Sequence, residues 1–232
     1  MLYFTEQDYQ IFTAANAAVK NPDMKQQREK LQNKMLRLHK MIYPRVQLLG
    51  LACHENTKHI TSLITPDKHT GQFHTWLLVR YGKTPKEIAP YKEFDMGFTK
   101  HACLQFGLSE DAGFSMHLFL GRRDGWDRQK VQEKKYRFIV QNRDRITAEL
   151  EKLKGYGMCW EITGQEVFAL DEQDAAAFCD WFIEHDGKGE ESFLRISYDM
   201  NDARISTDQI HLEILRKLHL MLPLYNLLTQ RK

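Results

Sequence analysis

The sequence predicts an α+β fold, with a mainly antiparallel sheet of about six strands, helices packed on it, and a single domain over residues 1–232. Three observations predict it. Short segments alternate apolar and polar residues, as half-buried strands do. Longer segments repeat apolar residues at helical spacing. Strand-like pairs are joined by short polar loops bearing glycine, the signature of hairpins.

Lys100–Arg123 carries the alternation most clearly. Ala102, Leu104, Phe106 and Leu108 share one face of the first strand; Phe114, Met116, Leu118 and Leu120 share one face of the second. The loop SEDAG between them ends in Gly113. Pairing Leu108 with Phe114 keeps the parity, and Gln105 then meets His117. A one-residue slip would mix the faces, so the pattern itself specifies the register.

The remaining elements follow in order. Thr5 and Asp8 form a capping pair ahead of a helix over about 6–20, which Asn21-Pro22 breaks. A second helix runs from Asp23 to about Met41 on an apolar stripe of Met24, Leu31, Met35, Leu38 and Ile42, with basic residues covering its outside. Pro44 ends or kinks it, and RVQLLGLA continues as a short helix. HITSLI reads as a strand, TPDKHTG as a loop and FHTWLLVRYG as a strand. Residues 83–98 hold Pro85, Pro90 and Gly97 and read as an irregular connection with one helical turn. After the hairpin, Asp124 or Asp127 caps a helix to about Asn142, and a further helix spans about 143–154 until Gly155 and Gly157 stop it. GMCWEITGQEVFAL is a smaller hairpin turning at Thr163-Gly164. Asp171 caps a short helix bearing Phe178, Trp181 and Phe182. FLRISYDM is a strand. Ser206 or Thr207 caps the last helix, which carries Ile210, Ile214, Leu218, Met221 and Leu222, and Pro223 kinks it.

Composition narrows function only by exclusion. At 42% hydrophobic and 28% charged residues the chain is of ordinary globular type, and a net charge of +2 does not by itself imply a polyanionic partner. The charge is uneven. Residues 122–154 hold eleven Lys/Arg against six Asp/Glu; residues 161–191 hold ten Asp/Glu against Lys188 alone. Such segments either face each other, stay solvated, or steer a charged partner. Cys53, Cys103, Cys159 and Cys179 make no CxxC pair, and two of them sit in apolar runs as small hydrophobes. The first residues are acidic where a signal peptide is basic, and no apolar run approaches a membrane span. These features predict a cytoplasmic protein with reduced thiols and no membrane association.

The less apolar strand faces supply the candidate chemistry. Joined in one sheet, they gather His74, Trp76, Arg80, His101, Gln105, Ser115, His117, Glu161 and Arg195. Cations, an acid/base group and an aromatic wall together suit a pocket for an anion. The alternative is a face that is half-exposed, or covered and hydrogen-bonded internally. Other signals are weaker. Cys53, His54, His59, His69 and His74 lack metal-site spacing, so no metal or cofactor is expected. His59-Ile60-Thr61 matches one His-x-Thr element of two-histidine phosphoesterases, without a second copy. Glu133 with Lys135 has a nuclease-like spacing, but helical pairing explains it. Phosphate loops and nucleophile elbows are absent from the sequence.

FTEQDYQIF, DMKQQREKLQ, the HIT followed by PD and TW, and LQFGLSEDAGF resemble the YktB-like family of bacterial proteins over about residues 3–121. The arginine-rich run that follows the HI element in that family has no counterpart here. The resemblance implies an α+β fold and no particular activity.

Three functions remain open at this point. The first is binding of an anionic ligand (a nucleotide, a phosphorylated small molecule or nucleic acid). Arg80, Arg122 and Arg195 would neutralise it, Trp76 would stack, and His74, Gln105, His101 and His117 would hydrogen-bond. The second is a phosphoester hydrolase with His101 or His117 as general acid/base. The third is a protein-interaction module built on the charged segments.

Overall fold

A computed structural model describes residues 1–17, 22–54, 71–88, 102–122, 128–188 and 191–231. Its helices are α1 (Glu6–Gln10), α2 (Ala14–Ala17), α3 (Pro22–Leu48), α4 (Pro85–Ile88), α5 (Arg128–Gln141), α6 (Arg143–Glu151), α7 (Phe178–Asp186) and α8 (Ile210–Leu228). Its strands are β1 (Ala52–Cys53), β2 (Trp76–Gly82), β3 (Cys103–Ser109), β4 (Gly113–Arg122), β5 (Cys159–Ile162), β6 (Phe168–Ala169) and β7 (Glu191–Tyr198). The fold is α+β, and the strands form one antiparallel sheet in the order β1-β2-β3-β4-β7-β5-β6. Seven strands are present among the described residues, close to the expected number of about six. The HITSLI strand lies outside the described residues.

The predicted hairpin is β3–β4. Its alternation is present, but both faces are buried rather than one: Cys103 through Leu108 and Phe114 through Phe119 are all shielded from solvent. The second face carries side chains that tolerate burial because they are small or have hydrogen-bonding or ring contacts. Gly107 shows how tightly the strands meet. A Cβ there would sit 2.0 Å from the Leu77 carbonyl oxygen, so only glycine fits.

Packing divides the chain into two compact units. The first comprises Met1–Ile88, Gln105–Met116 and Ser197–Lys217; the second comprises Ala89–Leu104, His117–Ile196 and Leu218–Lys232.

In the first unit α3 buries Met24, Leu31, Met35, Leu38, Ile42 and Val46, the stripe its sequence predicts and one turn more. The helix runs through Pro44 to Leu48, further than expected. Proline removes one amide donor, so the Lys40 carbonyl loses its partner. Both residues are exposed, so that oxygen is open to solvent, while fully buried Ile42 and Val46 clamp the helix on either side. Rings of Phe4, Tyr81, Phe106, Phe114 and Tyr198 fill the core, with centroids 5.5–6.5 Å apart along the chain of contacts. Arg28 is also buried. It donates to the Ile11 carbonyl at 3.1 Å and the His74 carbonyl at 3.4 Å, and lies 4.1 Å over the Phe73 ring. At the N-terminus the expected capping box forms, but α1 stops at Gln10 and α2 follows as a separate turn.

In the second unit Trp160, Phe168, Phe178, Trp181 and Phe182 form an aromatic core, and Trp160 Nε1 donates to Ser192 Oγ at 2.9 Å. The basic and acidic segments do face each other. Arg143 pairs with Asp180 on α7, and Lys135 Nζ lies 3.0 Å from the buried Asp186. A 3₁₀ turn over Ala175–Ala177 leads into α7. Asp174 caps that turn, its side chain accepting from Ala176 N at 3.0 Å, whereas α7 itself has Ala177 at its N-cap and no side-chain cap, so Asp171 caps neither. Asp171 instead accepts from Gly155 N and Gly157 N at 2.6 and 2.9 Å. Both glycines have positive φ, which turns their amides towards one carboxylate.

Candidate functional site

The polar strand residues fall into two groups, one in each unit. In the first, β2 brings Trp76 and Arg80 to one face by its two-residue period, and β3 brings Gln105 beside them. Arg80 Nε donates to Gln105 Oε1 at 2.9 Å, and its guanidinium carbon lies 5.8 Å from the Trp76 ring centre. The Trp76 ring in turn rests on His74, with centroids 4.7 Å apart. Arg80 and Gln105 are 9% and 4% exposed, whereas His74 and Trp76 are half-buried and form a rim. Ser115 of β4 is fully buried, and its hydroxyl has no hydrogen-bond partner among the described residues. An orphaned buried hydroxyl carries a desolvation cost of about 1–3 kcal/mol unless a water or ligand meets it.

In the second unit, Cys159 and Arg195 face each other across β5 and β7, and Glu161 faces Phe193. Arg195 is matched by Glu161 at 2.5 Å. Cys159 donates to the same carboxylate at 3.3 Å. Burial, with the Glu161 charge behind it, pushes the Cys159 thiol up to about 12. It is therefore a hydrogen-bond donor at neutral pH and not a nucleophile. His117 is buried with its ring 5.2 Å from Phe193. A cation whose counter-charge is already present is a poorer anion receptor than Arg195 promised from its sequence position. Arg122 closes β4, but its side chain, like the whole of His101, lies outside the described residues.

One buried polar group escaped the sequence reading. Tyr198 Oη donates to Glu213 Oε1 at 2.9 Å, and Lys217 Nζ lies 3.5 Å from the same oxygen. Lys217 is fully buried, and desolvation lowers its pKa although Glu213 opposes this. The signal was present: Glu213 and Lys217 stand four residues apart within the apolar stripe of α8, where two charges survive only as a pair.

Two surface hollows, of about 270 and 360 Å³, lie elsewhere, the first lined by Asp8, Asp23 and Lys30 among others and the second by Arg145, Asn226 and Arg231 among others. Among the described residues no three His, Cys, Asp or Glu side chains gather to hold a metal ion, and no helix is long and apolar enough to cross a membrane. No family model and no curated protein matches the chain.

Proposed function

We propose that the chain binds a small anionic ligand carrying an aromatic group, of the nucleotide or phosphorylated type, at Arg80, Gln105, Trp76 and His74. The observation that carries this reading is the fixed guanidinium. Gln105 holds its Nε, and the Trp76 face lies beside it. A guanidinium oriented in this way meets a phosphate or carboxylate with little further ordering cost. The half-buried Trp76 and His74 rings supply a stacking rim. Four cysteines without a disulfide fit a reducing compartment, so a cytoplasmic ligand is the natural choice.

The test is ligand-dependent thermal stability with adenosine monophosphate, inorganic phosphate and adenosine in turn. The monophosphate raises the melting temperature, corresponding to about 2.7 kcal/mol at a hundredfold excess over Kd. Phosphate and adenosine alone raise it less. Arg80→Met keeps the apolar stem and abolishes the rise. An equal rise in that variant, or none with any of the three, overturns the assignment. Phosphate released from the monophosphate would replace it with the hydrolase reading.

A further inference from the structure

A second surface has no part in that site. Helix α3 holds seven Lys/Arg against Asp23 and Glu29, a net +5, whereas the entire chain carries only +2. Arg28 and Lys34 are used internally: Arg28 is buried, and Lys34 pairs with Asp8 at 2.5 Å. The other five, Lys25, Lys30, Arg37, Lys40 and Arg45, are exposed. None of them forms a salt bridge among the described residues. Other surface cations do, including Lys152, Lys154, Arg143 and Arg204 with adjacent carboxylates.

Their order makes them a ridge. At 100° per residue, Lys30, Arg37 and Lys40 lie within about 80° of one another on the outer side, opposite the buried stripe. From Lys30 to Lys40 the helix rises about 15 Å, with steps of roughly 10 and 4 Å between cations, while Arg45 lies about 140° round the helix from Lys40, at the edge of the buried stripe. The opposite side is anchored by nine buried residues, so the ridge is rigid. Asp23 and Glu29 flank this row at its N-terminal end, and the cations still outnumber them, so the face complements a polymer of regularly spaced negative charge. Nucleic-acid duplexes offer one phosphate per roughly 3.4 Å of axis on each strand, and long Lys and Arg stems span the remaining mismatch.

We propose that the outer face of α3 docks a nucleic-acid duplex through its phosphates, without reading base sequence. Met41 and Leu48 are also exposed on this face, and they separate the occupants. Phosphate docking does not need them; an acidic amphipathic protein segment or an anionic bilayer does.

The probe is a fluorescein-labelled DNA duplex of arbitrary sequence, followed by anisotropy as salt is raised. The wild-type chain gives a log–log salt slope of about −3, as three phosphate contacts require. Lys30→Ala, Arg37→Ala and Lys40→Ala together reduce that slope by about 3 units and weaken binding at least tenfold at low salt. Replacing both lysines by arginine preserves binding. Met41→Ser with Leu48→Ser leaves it unchanged, and so does Arg80→Met, which keeps this test separate from the nucleotide site. All these α3 positions are exposed, and circular dichroism verifies that the variants fold. The proposal is overturned by absence of duplex binding at low salt, by an unchanged slope in the triple alanine variant, or by tighter binding to phosphatidylserine vesicles or polyglutamate that depends on Met41 and Leu48.

Discussion

Single residues decide where this sheet tolerates change. Gly107→Ala drives a methyl group into the Leu77 carbonyl, and backbone on both sides must move. The expected cost is about 3 kcal/mol or more, within the range for overpacking a core, read as a large fall in urea midpoint or loss of folded protein. A midpoint near wild type would show that the strands separate easily there. Cys159 makes a prediction about pH. Its folded pKa is raised to about 12 from an ordinary 9. Below pH 9 both states keep the proton and nothing changes. Above it the unfolded thiol ionises while the folded one does not, so stability falls between about 9 and 12. Cys159→Ser removes this contribution and flattens the alkaline limb of the stability curve; an unchanged limb would show that the thiol is solvated. The two residues differ in legibility. Gly107 sits at an ordinary strand position, and only the approach of β2 explains it. Cys159 shares a face with Glu161 by the two-residue period of β5, but the Arg195 that meets the same carboxylate depends on β5 lying beside β7.

At the scale of elements, periodicity carried further than local signals. The β3–β4 alternation, the β5–β6 hairpin and the stripes of α3 and α8 are all present where the pattern puts them. Punctuation was less reliable. Pro44 reads as an end or a kink and Pro223 as a kink; both lie inside helices, on exposed faces beside fully buried anchors, so Pro44 is not an end. Burial of the opposite side exceeds the cost of one missing bond. Asp171 and Asp174 show the same limit, since both are capping residues by type and the sequence does not say which helix or loop each serves. Their roles lead to distinct outcomes. Asp174→Ala removes one acceptor at the start of the 3₁₀ turn and costs about 1 kcal/mol. Asp171→Ala releases two glycine amides together and lowers the thermal midpoint more. Equal effects would mean that the amides of Gly155 and Gly157 find water at no loss. The candidate site was legible to the same degree: strand parity placed Arg80, Trp76 and Gln105 on one kind of face, but the partner of each arginine required the strand order.

Across the whole molecule, charge is separated in a way the net value conceals. Residues outside α3 sum to −3, because the total is +2 and the helix holds +5. The segment of residues 122–154 holds the same excess, eleven Lys/Arg against six Asp/Glu, and two of its cations, Arg143 and Lys135, are met by Asp180 and Asp186 within the second unit. The exposed cations of α3 make no salt bridge among the described residues, so a charged surface meets them directly at short range. At about 0.1 M salt the Debye length is about 10 Å, shorter than the ridge, so a contacting matrix responds to the local row and not to the total. The chain has an isoelectric point near 8.3. A protein governed by net charge would pass a sulfonate cation exchanger at that pH without delay. This one is retained and elutes only as salt is raised. Neutralising Lys30, Arg37 and Lys40 abolishes the retention, whereas neutralising Lys152, Lys154 and Arg204, whose charges already meet carboxylates, scarcely alters it. Both triple variants lose the same formal charge, so any difference between them measures arrangement alone. Equal elution of the two would show that net charge governs, and would remove the electrostatic basis for a docking face on α3.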